Sequence, residues 1–505
     1  MIVMRLSIVL VLVAVVACSK HKDDQPASGP QPIENAPLQA VKHDVSKQPL
    51  PALATDTGGA TGKPMWQLGF GGDGIDVPRG VAVGANNEVY VAGYFEGTAD
   101  FGGPVGKKTA VGGSDGFLTK LTADGKMAWM RQFGSKRDDD AKAVAARGDR
   151  VVVVGNFLDE IKAGEYTHKA VGNDDLFAVA YDKDGVAQWL WTLGGIDSDG
   201  ANAVAASPDG GWIIGGSYSD SITIGSTVFK SKGKTDAILV KLDASGDMQW
   251  VKTFGGRYDD TIMRVAVDSN NNVYVAGHFA DISDWGGPQP LKAHGGSDND
   301  IVLAKYDTNG DYVWAKNFGN MFNDVAGGLA VDPAGHITLV GSFENKGSIS
   351  FGDGDEHTSL GEADAYIARF TSDGKLEWAH TFGAERVDVA FGVATDTAGN
   401  TVTIGWFENI VDFGKGAVAS KGNKDMFAVK LDAKGNVVWV NTWGDHDHDQ
   451  ARGVALDDKG NAIVVGAYRF KLELLEPAIE GHRPENDPVL SKAPKPDVAV
   501  VKFAR

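Results

Sequence analysis

The stretch "DAILVKLDASGDMQWVKTFGGRYDD" (236–260) reads as a hairpin with a tight turn behind it. "DAILVKL" (236–242) alternates after its aspartate, and "DASGD" (243–247) is a turn whose glycine supplies positive φ. The strand that follows carries Trp250 and ends in Phe254-Gly255. Period-two alternation bounded by turn residues is the signature of β-strands. Five residues beyond Gly255 stands Asp260, and this frame returns six more times.

Trp66, Trp129, Trp189, Trp250, Trp314, Trp378 and Trp439 mark the copies, at intervals of 60 to 64 residues. Such a period decides the architecture before any local assignment. Each copy reads as four strands. The first holds a short apolar pair, as in Val81-Ala82, Val265-Ala266 and Val454-Ala455. The second ends in glycine and an aromatic: "VYVAGYF" (89–95), "VYVAGHF" (273–279), "ITLVGSF" (337–343). The third and fourth are the hairpin above. No long amphipathic helix interrupts them. The expectation is an all-β fold over 64–505, a seven-bladed β-propeller of four-stranded antiparallel blades. "MWQLGF" (65–70) is a fourth strand without its blade, and "DVAVVKFAR" (497–505) is a third strand without its partner. Pairing them closes the ring and removes two edges, whereas an open solenoid leaves both unpaired.

The copies resemble the bacterial beta-propeller repeat family of secreted and cell-surface proteins, with its tryptophan, Phe-Gly-Gly turn, aspartate and "VYVAG" strand. The resemblance covers about 64–505. It implies a propeller and a surface location, and it implies little about activity, because propellers host enzymes, receptors and scaffolds alike.

Outside the repeats, "MIVMRLSIVLVLVAVVACSK" (1–20) has one charged residue, Arg5, before an apolar run from Leu6 to Ala17. That run is shorter than the ~20 residues a bilayer span needs and suits a signal peptide over 1–17. Val15-Val16-Ala17-Cys18 resembles the lipobox of bacterial lipoproteins, which implies a lipidated Cys18 as the first mature residue. Cys18 is the only cysteine, so the mature chain has no disulfide. Residues 18–63 are proline-rich and poor in aromatics, the composition of a flexible tether of roughly 40 Å reach. A lipid-anchored envelope protein is expected, in the outer membrane rather than the inner because Ser19 follows Cys18. A monomer is expected. The net charge of −19 argues against a nucleic-acid partner.

Two kinds of acidic residue then need separating. Asp76, Asp139, Asp199, Asp260, Asp324, Asp388 and Asp449 recur in every copy. A feature in every blade is architectural, and these carboxylates are expected to accept backbone N–H groups in the turns between blades; a repeated cation site is the alternative. Asp115, Asp175, Asp236, Asp300, Asp364, Asp425 and Asp497 open the third strands and read as structural too. "WGDHDHDQ" (443–450) is different, because Asp445, His446, Asp447 and His448 occur in this copy alone. Mixed histidine and carboxylate suits a borderline divalent cation such as zinc, whereas calcium would suit the repeated aspartates. An exposed acidic turn is the competing reading.

The connection from second to third strand opens on the same face of a propeller as the turn between blades. It runs to 17–20 residues in six copies, but in the seventh it is "RFKLELLEPAIEGHRPENDPVLSKAPKP" (469–496). It abandons the shared pattern, brings Glu480, His482, Glu485 and Asp487, and its "KLELLE" reads as a short helix or cap. His482 is therefore a candidate fifth ligand. No nucleophile motif, phosphate loop or closed metal signature is present. The reading is a binding or scaffolding module for a protein or glycan ligand, working through its loop-rich face. The alternative is a metal-assisted hydrolase or lyase using the cluster at 445–449.

Overall fold

The computed structural model describes residues 61–352, 354–476, 478–481 and 495–505. Cys18, His482, Glu485 and Asp487, the signal peptide and all but the last residues of the tether lie outside them. The described residues contain strands and turns and no helix. They form seven four-stranded antiparallel sheets, each taken in chain order from an inner first strand to an outer fourth. Blade 1 consists of Asp76–Val83, Val89–Asp100, Lys107–Leu121 and Met127–Phe133. The seventh is composite: Gln450–Leu456, Ala462–Tyr468 and Asp497–Phe503 are joined by Pro64–Gly72. Gln67 lies opposite Val501 and Phe70 opposite Val498. The innermost strands follow one another around an axis, and Gln450–Leu456 packs against Asp76–Val83 of blade 1. The fold is a β-propeller.

The two middle strands of each sheet are buried on both faces, which is why they read as unbroken apolar runs. Val89, Val91 and Ala92, or Val402 and Ile404, have no solvent exposure. Their partners lie in neighbouring sheets. Val152 and Val154 of blade 2 share one core with Trp212, Ile214 and Ile238 of blade 3. Burial of this stacked apolar surface is the main stabilising term.

The repeated tryptophans work differently from core anchors. Only Trp189 and Trp439 are buried, at 8% and 6% exposure, and the other five are half-buried on the outermost strands. In six blades the indole N–H reaches a carbonyl in the third-to-fourth turn of the next blade, as Trp66 does to Ala123 and Trp250 to Thr308, both at 3.2 Å. An indole needs a partner for its one donor when it is covered, and the neighbouring turn supplies it. Gly125, Gly246, Gly310, Gly374 and Gly435 of these turns lie flat on a ring, where a Cβ would come within 3.3 Å. Six of the seven tryptophans therefore latch one blade to the next, and the buried Trp439 Nε1 has no hydrogen-bond partner among the described residues.

Every second-to-third connection folds back as a small hairpin, including the seventh. Lys471 pairs with Glu480 and Leu472 with Ile479, so "KLELLE" is part of a hairpin, not a helix. Leu472 is 1% exposed and joins the core with Leu474 and Ile479. Val411 of blade 6, which pairs with Val418, and Ala99 of blade 1 occupy the corresponding place, and two residues on, Phe101 packs among Phe70, Phe95 and Phe117.

Candidate functional site

The turn from one blade to the next is built around two carboxyl groups and one glycine. The aspartate opening the third strand lies directly on the glycine that ends the fourth. A Cβ at Gly134 would come 2.2 Å from the Asp115 Cγ, at Gly255 2.3 Å from Asp236, and at Gly383 2.4 Å from Asp364. No side chain fits, so each fourth strand ends in glycine. The second aspartate, five residues on, accepts the N–H four residues before it. Gly72 donates to Asp76, Ser135 to Asp139, Gly195 to Asp199, Asn320 to Asp324 and Ala384 to Asp388, at 2.7–2.9 Å. Its other oxygen takes an N–H at the end of the second strand, from Leu158 in blade 2, Ser219 in blade 3 and Glu408 in blade 6. Its own N–H donates back across the junction, as Asp139 does to Ser114 and Asp76 to Pro496.

Burial dominates the ionisation of this second set. It pushes Asp139, Asp199, Asp260 and Asp449 up to about 7, and Asp324 and Asp388 up to about 8. The aspartate on the other side of the junction adds repulsion, and the donated N–H groups work against both. These side chains have no exposed face and hold the frame.

The cluster at 443–450 is one of these junctions. Asp449 accepts the Asp445 N–H at 2.8 Å, as its six counterparts accept theirs. Asp445 is turned inward, where its carboxylate accepts from Phe470 at 3.1 Å and Lys471 at 2.7 Å. That ties the turn to the base of the seventh hairpin. Asp447 faces Arg469 at 3.2 Å. His448 is 3.8 Å from Asp447, and burial together with the Lys424 and Arg469 charges holds its imidazole below the usual histidine range against the pull of Asp447. His446 projects into solvent. The candidate ligands Asp445, His446, Asp447 and His448 are thus not brought together. Among the described residues no three histidine, aspartate or glutamate side chains are placed to hold a metal ion.

His446 nonetheless has a meaningful position. It is the tip of its turn, and the corresponding tips are Asp73, Lys136, Ile196, Arg257, Met321 and Glu385, all exposed. Ile196 is 66% exposed and Met321 70%. Val111, Val171 and Val228 stand on the adjoining hairpins at 62–65% exposure. A constant frame presents variable tips on one face.

A second site lies on the axis. Each innermost strand carries a β-bulge, where one extra residue faces a single partner. The bulged residues are Arg79, Lys142, Asn202, Met263, Gly327, Phe391 and Arg452, and Arg264 follows Met263. Arg79, Lys142, Asn202, Phe391 and Arg452, with Arg264, line a cavity of about 160 Å³ to which all seven first strands contribute. Arg79 is paired with Asp140 at 3.2 Å and lies 5.1 Å over the Tyr94 ring. Lys142 has only the Asn202 amide oxygen, at 3.4 Å. Arg264 and Arg452 both flank Phe391, with guanidinium carbons 5.2 and 5.8 Å from its centroid. Burial pulls Lys142 below its usual range and brings Arg264 and Arg452 down to about 10, with the Arg79 charge adding to all three. Gly327 has no room for a side chain, since a Cβ there would meet the Ala390 carbonyl at 2.2 Å.

These cations escape a reading by alternation because a bulge shifts a side chain out of the period-two pattern. A signal did exist in the sequence. Three residues after each repeated aspartate the copies read Arg, Lys, Asn, Met, Gly, Phe and Arg, amid neighbours that hardly vary.

Comparison with known proteins agrees with a propeller. The model of a family described as Beta-propeller repeat matches residues 249–278. An uncharacterized WD repeat-containing protein, L264, of Acanthamoeba polyphaga mimivirus is 21% identical, over 80% of this chain and 36% of its own length. The regulatory protein FlaEY of Caulobacter vibrioides is 28% identical over 34% of this chain and 18% of its own. The chain thus spans about a third or less of the length of these curated relatives. Among solved structures, the Pan2 WD40 domain of Neurospora crassa covers 88% of this chain and 97% of its own, with TM-score 0.43 and 8% identity. Sqt1 of Chaetomium thermophilum covers 79% and 95%, with TM-score 0.40 and 12% identity.

Proposed function

We propose that this protein is a lipid-anchored envelope propeller that binds a protein or glycan ligand through its hairpin-bearing face. One observation carries the reading. The junctions repeat the same aspartate and glycine chemistry, while their tips and the adjoining hairpins present Ile196, Met321, Val111, Val171 and Val228 to solvent. Apolar side chains on an otherwise strongly acidic surface are what a recognition face needs. Cys18 supplies the anchor, and residues 18–63 hold the ring clear of the lipid.

The test changes the face and the anchor separately. Photo-crosslinking from the position of Val171 is expected to capture the same discrete envelope component repeatedly, and Ile196→Asp with Met321→Asp to abolish capture without moving the melting midpoint. Equal capture by that double variant would overturn the proposed face. Cys18→Ser is expected to release the protein from the membrane fraction and leave capture in solution intact; continued membrane retention would overturn the anchor.

A further inference from the structure

A protein with a net charge of −19 keeps its axial cavity cationic. Arg79, Lys142, Arg264 and Arg452 line that cavity and no carboxylate does. Asp140 pairs with Arg79, and among the described residues Lys142, Arg264 and Arg452 have no carboxylate at ion-pair distance, with Asp140 and Asp174 acting on Lys142 only from farther off. Their existing contacts are poor substitutes. Arg264 donates to the carbonyl of its own neighbour Met263, and Arg452 donates to Gln450, two residues away. The Arg452 Nε is buried and has no hydrogen-bond partner among the described residues, and neither has the Arg79 Nε. Buried, unpaired guanidinium donors are costly, and contact with the Phe391 ring offsets only part of that cost.

The cations also sit where structure alone does not ask for them. The same bulge is formed by Asn202, Met263, Gly327 and Phe391 in other blades. At the position of Arg264 the other blades have glycine or alanine, namely Gly80, Ala143, Ala203, Gly328, Gly392 and Gly453. A bulge can be made without a charge, so the charges serve something in the cavity.

We propose that the axial cavity binds a compact phosphate-type dianion, gripped by Arg264, Arg452 and Lys142. Guanidinium forks match the spacing of phosphate oxygens and donate two bonds at once, and an ammonium adds a point charge. The cavity of about 160 Å³ has room for about five waters, enough for inorganic phosphate or the head of a small phosphate monoester and too little for a nucleotide. Phe391 gives a short ester carbon chain an apolar wall.

The test titrates the full chain with inorganic phosphate and with glycerol phosphate, against chloride at matched ionic strength, by calorimetry and by thermal melts. Binding to the native state is expected to raise the melting midpoint with concentration. Arg264→Gln and Arg452→Gln are each expected to weaken binding about tenfold or more, the effect of losing a charged hydrogen-bond donor. Asp140→Asn removes an opposing charge that acts on both Lys142 and Arg452 and is expected to tighten binding. Tighter binding of glycerol phosphate than of phosphate, abolished by Phe391→Ala, identifies an ester as the occupant, and equal binding identifies the free ion. The proposal is overturned if phosphate gives no heat and no midpoint shift at matched ionic strength, or if the shift survives in the Arg264→Gln/Arg452→Gln double variant. Should the variants fail to fold, the wild-type titration decides alone.

Discussion

The junctions between blades and the bulges around the axis lie only three residues apart in sequence and follow opposite rules. At the junction every blade has aspartate, glycine and aspartate, with both carboxyl groups buried. At the bulge the blades differ in charge, size and polarity while the backbone stays the same. Repetition there marks what the ring requires to exist. Variation on a fixed backbone marks what the ring is free to use, and the axial cations and the exposed tips both belong to that second kind.

The sharpest way to break this distinction is to add one methyl group in each region. Gly383→Ala places a Cβ 2.4 Å from the Asp364 Cγ and is expected to cost about 3 kcal/mol or more, because the carboxyl cannot retreat from its buried pocket. Gly392→Ala, beside the bulge, meets only the Ile404 side chain at 3.1 Å and is expected to cost under about 1 kcal/mol. Chemical denaturation of the two variants measures both. Equal costs would mean that the bulge strands are as constrained as the junctions.

A smaller and distributed effect follows from pH. The junction carboxyls pushed up to about 7 and about 8 hold protons in the folded chain that the unfolded chain releases near pH 4. Their contribution to stability is full below the unfolded value and is lost as pH rises through the folded one. The melting midpoint is expected to be higher at about pH 5.5 than at about pH 8.5, with its steepest fall between. A flat profile would show that the donated N–H groups outweigh burial and keep these groups ionised. Smallest of all, His446→Ala with His448→Ala is expected to shift stability by less than about 0.5 kcal/mol and to leave the response to added zinc unchanged. A zinc-dependent rise in the wild-type midpoint, lost in that double variant, would return the metal reading to the cluster.

Much of the frame was legible in the chain because its signals are local. The hairpin turns name themselves through Asp, Gly and Asn, and the second strands through their unbroken apolar runs. The place of Asp449 followed from its six counterparts, and so did the separate standing of His446. Three things were hidden, each for a physical reason. Arg79 and Arg452 sit on bulges, where alternation fails, and Arg264 stands directly after one. "KLELLE" has helix-forming residues but is held as a hairpin because Leu472 fills the buried slot that Ala99 and Val411 fill elsewhere. The latching role of the tryptophans is hidden because bulk alone suggests a core residue, whereas their position on the outer strand lets six of them reach the next blade's carbonyl.

The composite seventh sheet has a kinetic consequence. Blades 1 to 6 pair strands that are near neighbours in sequence and can form as the chain emerges from the ribosome. The seventh waits for Asp497–Phe503, and until that strand arrives Pro64–Gly72 is paired only at its end, where Gly71 and Gly72 lie opposite Asp100 and Ala99. Contacts of such long sequence separation form slowly. In that interval the chain exposes two complementary edges. Pro64–Gly72 of one molecule can complete the seventh sheet of another, so concentrated refolding is a route to a domain-swapped dimer.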